Sequence, residues 1–133
     1  MWCLLTDATA HFTQIKHWIA LMLPRIEDGN NFGVDVQESI LGKVTKCIDA
    51  VLEMQGNRPG YFVHRARCIK KMTKHPHTED LFHYLGAIDE REFNDVRMKL
   101  FELRFYYSYL NDLIAKNIAK ILKPRSNNID SMY

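Results

Sequence analysis

Cysteine is scarce in this chain of 133 residues: Cys3, Cys47 and Cys68 are all there is. An odd number without CxxC spacing excludes a disulfide framework and points to free thiols in a reducing cytosol or nucleus. Long hydrophobic runs are missing too. The longest uncharged apolar stretch, WIALMLP at 18–24, falls far short of the ~20 residues a membrane helix needs. No basic segment leads into an apolar one, so no signal peptide is read. There is no excess of one charge sign: 18 basic and 16 acidic residues give +2, interspersed along the chain, which does not point to nucleic acid. With 47% hydrophobic residues, the chain has enough apolar content for a packed core. The expectation is one soluble, intracellular domain, cytoplasmic or nuclear, with no membrane and no nucleic-acid partner.

Catalytic signatures are absent as well. GxSxG, HExxH and the dinucleotide glycine pattern do not occur, nor does the Gly-Lys-Ser/Thr of a phosphate loop. DGNNFG places Asp28, Asn30 and Gly33 at calcium-loop positions, but Phe32 and Ser39 stand where ligands are required. His75 and His77, near Asp80 and His83, lack the further ligands that would complete a zinc site. Di-iron bundle chemistry needs Glu-x-x-His, and the chain has none. Cys47 and Cys68 fall on or beside helical stripes and read as small core residues. No enzyme is expected, and no metal or cofactor.

What is present is helical periodicity. Leu5, Ala8, Phe12, Ile15, Ile19 and Met22 recur at steps of three and four, which predicts a helix over 2–23, stopped by Pro24. A loop is predicted over 24–33, where two glycines, two asparagines and an aspartate crowd together. The stripe resumes with Ile40, Val44, Cys47, Val51 and Met54 and predicts a helix over 34–55. Gly56, Pro59 and Gly60 should break or kink it before a basic helix over 61–74. Asp89 with Glu92 reads as a capping-box variant opening the longest helix, 89–122. Its seam is Phe93, Val96, Leu100, Leu103, Tyr107, Leu110, Ile114 and Ile121, beside a second strip of Phe101, Phe105 and Tyr109. Two strips need two neighbours, so self-association is expected. The helix at the chain start has no capping residue before it, which leads to the expectation of a preceding segment. The fold class is all-α, an up-down bundle of long helices in a single domain.

The string LPRIEDGNNFGVDVQE at 23–38 resembles the activation-loop signature of the REG-type proteasome activators, the eleven-S regulators. KHPHTEDL and IDEREFNDVR before the long helix, and LIAKNIAKILKPRSNN with a terminal MY, are similar to the same family. The resemblance runs from about residue 20 to 133, and the KPRSNN tail is closer to the homo-oligomeric gamma-like branch than to the beta-type subunit. It implies a non-catalytic subunit of a seven-membered ring that caps the core proteasome without ATP. The family's four-helix bundle would lack its first helix in this chain. By this resemblance the activation loop is Arg25, Ile26, Glu27, Asp28, Gly29, Asn30, Asn31, Phe32 and Gly33. The tail 124–133, ending in Ser131, Met132 and Tyr133, would dock between the proteasome's outer-ring subunits. The alternative is a helical interaction module, or truncated isoform, that keeps the fold and does not open the gate.

Overall fold

A computed structural model describes residues 2–56 and 59–125. They form four helices, α1 (Trp2–Leu21), α2 (Phe32–Gly56), α3 (Pro59–Lys74) and α4 (Glu79–Leu122), with no strand among the described residues. The apolar seams turn inward as helical spacing requires. Leu5, Ala8, Phe12 and Ile19 of α1 meet Ile40, Val44, Cys47, Val51 and Met54 of α2 and Leu103, Leu110 and Ile121 of α4. Phe12 is fully buried and sits edge-on to Tyr107 with ring centroids 4.9 Å apart. Burial of a ring this size contributes about 1.5–3 kcal/mol.

Helix α4 is the spine, about 66 Å long at ~1.5 Å per residue. Helices α2 and α3 follow one another along it in the opposite direction. Gln37 at the start of α2 reaches Ile121, and Arg65 of α3 reaches Asp89. Helix α1 runs parallel to α4, with His11 bonded to Tyr107 and the C-terminal ends of both helices at the same end of the bundle. That end carries the α1–α2 loop.

Five boundaries differ from the sequence reading, the smallest being the end of α2 at Gly56 rather than residue 55. Helix α1 ends at Leu21 rather than at residue 23, because Pro24 restricts Leu23 and the last turn tightens. Met22 and Leu23 donate to Ile19 and Ala20, three residues back. Helix α2 begins at Phe32, so Phe32 and Gly33 belong to its first turn and not to the loop. Helix α3 begins at Pro59 rather than residue 61. Proline suits the first helical position, where its missing N–H has no partner to lose.

The largest correction is α4, which starts at Glu79 after the extended N-cap Thr78 and not at Asp89. Nothing between them stops a helix: Gly86 costs about 1 kcal/mol, and Glu79 and Asp80 favour the first turn. Asp89 is about one-quarter of the way along the helix and is bonded to α3. Phe93, expected on the main seam, is 67% exposed, because α1 and the core of α2 lie beside the other half of α4.

Candidate functional site

The loop between α1 and α2 hangs from the end of the bundle where α1 and α4 terminate. Arg25 through Phe32 are exposed and Gly33 is buried. Ile26 is 100% exposed and Phe32 72%. Lys120 of α4 lies over the Phe32 ring, 5.9 Å from its centre, a favourable cation–π placement.

The turn itself depends on left-handed backbone. Gly29 has φ +83° and Asn30 φ +51°. Glycine adopts this region freely, and asparagine is the side chain that tolerates it best. Asn31 closes the turn by donating from Nδ2 to the Glu27 carbonyl at 3.3 Å. Its own carbonyl accepts from the Asp35 amide at 2.9 Å, the first bond into α2.

Two residues outside the predicted loop hold it in place, Gln37 of α2 and Arg125 at the start of the predicted docking tail. Gln37 is fully buried, and its Nε2 donates to the Met22 carbonyl at 3.0 Å and the Ile121 carbonyl at 2.8 Å. One amide thus ties together the ends of α1 and α4, two sets of carbonyls that their own helices leave without donors. Arg125 reaches back from the end of α4. Its Nη1 pairs with Glu27 Oε2 at 3.1 Å, and its Nη2 donates to Asn31 Oδ1 at 3.2 Å. The Arg125 side chain is 17% exposed. Gly33 lies against the Pro124 backbone so closely that a β-carbon would overlap the Pro124 carbonyl.

The sequence carried a signal for part of this. Counting back from Ile40 by three and then four reaches Gln37 and Gly33, and both are buried with the rest of the α2 stripe. Arg125 gave no such signal. Ser131, Met132 and Tyr133, the expected docking residues, lie outside the described residues.

No group of three or more His, Cys, Asp or Glu side chains that could hold a metal is found among the described residues. No helix among them is long and apolar enough to cross a membrane. Cys47 is buried, and burial pushes its thiol up, away from the reactive thiolate.

Comparison with known proteins accounts for this architecture. The sequence profile of the family described as "Proteasome activator PA28, C-terminal" matches residues 4–131. Human "Proteasome activator complex subunit 3" is 40% identical over 119 residues, 90% of this chain and 47% of that protein. "Proteasome activator 28" of Dictyostelium discoideum is 41% identical over 122 residues, 92% of this chain and 54% of its own length. The chain spans about half the length of the curated relatives it matches. Among solved structures, the 11S subunit of the Plasmodium falciparum proteasome, PA28, superposes with a TM-score of 0.86 at 31% identity, covering 93% of this chain and 52% of that one. From its helix order to its loop sequence, the chain belongs to the PA28 family of proteasome activators, the eleven-S regulators, and corresponds to their C-terminal region.

Proposed function

We propose that this chain is a proteasome-activator subunit that opens the gate of the core proteasome and performs no catalysis of its own. It acts as a homo-heptameric ring without ATP, in the cytoplasm or the nucleus. The C-terminal residues Ser131 to Tyr133 enter pockets between outer-ring subunits and supply affinity, multiplied because several tails engage at once. The loop, with Ile26 foremost, presses on the gate.

The observation that carries this reading is the placement of the loop. An exposed, internally braced turn stands at the same end of the bundle as Pro124 and Arg125, from which the tail departs. A docked tail therefore delivers the loop to whatever surface the tail has bound.

The test is hydrolysis of a fluorogenic peptide by purified core proteasome, with and without this protein. Stimulation is expected, and it is expected to disappear when residues 131–133 are removed. No stimulation by the intact chain, with binding retained, would favour a non-gating interaction module.

A further inference from the structure

We infer that the loop and the start of the tail form one mechanical unit, and that Arg125 is the positioning residue joining them. The inference deepens the proposed function, and its gating consequence rests on that reading.

Three separate contacts converge on a few residues. The Gln37 amide fastens the ends of α1 and α4 at Met22 and Ile121. Three residues beyond Ile121, the Pro124 backbone is seated on Gly33 at the first turn of α2. Arg125 then spans the loop with both arms of its guanidinium, one on Glu27 and one on Asn31. Glu27 and Asn31 are also the two ends of the turn that Asn31 closes. Arg125 therefore sets the separation of the turn's two ends from outside, while Gly29 and Asn30 supply the left-handed bend between them.

The chemistry suits a positioning role. A guanidinium has a planar fork with fixed donor directions, so two acceptors on it are held at a defined distance and angle. A lysine head has no such fork. Proline 124 fixes its own φ, so the direction of the chain entering Arg125 is restricted as well. When the tail is drawn into a partner, the pull acts on Arg125 and from there on Glu27 and Asn31. A loop joined to the tail only through the long path of α4 and α2 would feel none of it.

Two measurements test the inference. The first uses the protein alone and needs no gating. Trypsin cleavage at Arg25–Ile26 requires the loop to open, so its rate, read by mass spectrometry, reports how firmly the loop is held. Arg125→Ala should be cleaved about tenfold faster, as expected for losing one charge-assisted hydrogen-bonded pair. Glu27→Gln, at an exposed position that cannot unfold the bundle, should also raise the rate, and Arg125→Lys should fall between. Unchanged rates in Arg125→Ala and Glu27→Gln would overturn the clamp.

The second measurement titrates the activator into core proteasome. Arg125→Ala should lower maximal peptide hydrolysis several-fold while the half-saturating concentration holds, with partial recovery in Arg125→Lys. A raised half-saturating concentration with the maximum intact would make Arg125 an affinity residue and overturn its positioning role. If the unaltered protein does not stimulate hydrolysis, the gating function fails, and the cleavage rates alone still decide whether the clamp exists.

Discussion

A glutamine rather than a glutamate at position 37 is dictated by its two partners, both of which are carbonyl oxygens. An amide donates two hydrogens to them. A carboxylate would face them with like partial charge at a fully buried site. Gln37→Glu should therefore cost about 3 kcal/mol or more at neutral pH. The sign with pH follows. Burial and the two carbonyls raise the new carboxyl above its ordinary value, so the variant keeps its stability in acid and loses it as pH rises through the raised value. Denaturant melts at mildly acidic and neutral pH should diverge for Gln37→Glu and not diverge in this way for Gln37→Leu. Gly33→Ala makes the complementary point. Alanine is the better helix former by roughly 1 kcal/mol, yet its β-carbon would overlap the Pro124 carbonyl. A net loss of about 1–3 kcal/mol is expected in thermal melts. Both residues were legible as positions on a seam. Their roles were not, because a seam extrapolates apolar burial and says nothing of which carbonyls a buried polar group will meet.

Helix α3 is attached differently from its neighbours. Cys68 is its sole buried side chain among those described, with Sγ 3.5 Å from the Leu81 carbonyl. Polar contacts to α4 stand beside it: Tyr61 Oη donates to Asp89 Oδ1 at 2.9 Å and Arg65 Nε to the same oxygen at 3.0 Å. The Arg65 guanidinium, and then the Tyr61 hydroxyl, keep the Asp89 carboxyl below its usual value. The same bond to Asp89 raises the Tyr61 hydroxyl above its own. A depressed carboxyl contributes stability that is present above its ordinary pKa and is lost as pH falls through the folded value. Helix α3 should therefore loosen in acid before α1, α2 and the C-terminal half of α4. Hydrogen exchange of α3 amides, corrected for intrinsic rate, should show this acid step in the unaltered protein and lack it in Asp89→Asn. The sequence placed Asp89 at a helix start because Asp with Glu three residues on is a capping pattern. The same spacing arises wherever acidic residues line an exposed helix face. Only the partner helix, which no local pattern encodes, separates the two.

At the scale of the whole molecule, the unequal halves of α4 matter most. Toward its C-terminal end, Leu103, Leu110 and Ile121 are buried against α1 and α2. Toward the middle and N-terminal part, Phe82, Phe93, Phe101 and Phe105 are each more than half exposed. Arg97 lies 5.8 Å from the Phe101 ring centre, and Phe105 stacks on Tyr109 at 6.0 Å. These contacts leave the outer faces of the rings in water. The second strip at 101, 105 and 109 was legible from spacing alone; Phe101 and Phe105 stand exposed, while Tyr109 is partly buried against the core of its own chain. If copies of this chain cover the strip around a closed ring, each ring buried adds about 2 kcal/mol per interface. The expected particle is then about 110 kDa, seven times the 15.7 kDa chain. Phe105→Glu would place a charge in every interface at once while altering an exposed site within the subunit. Sedimentation should show the heptamer giving way to monomer, with helicity kept and the subunit's own stability changed by no more than about 0.5 kcal/mol. A heptamer that survives Phe105→Glu would place the interface on another face of α4. A monomer in the unaltered protein would leave the aromatic strip to a different partner and remove the multiplied tail affinity that the proposed function requires.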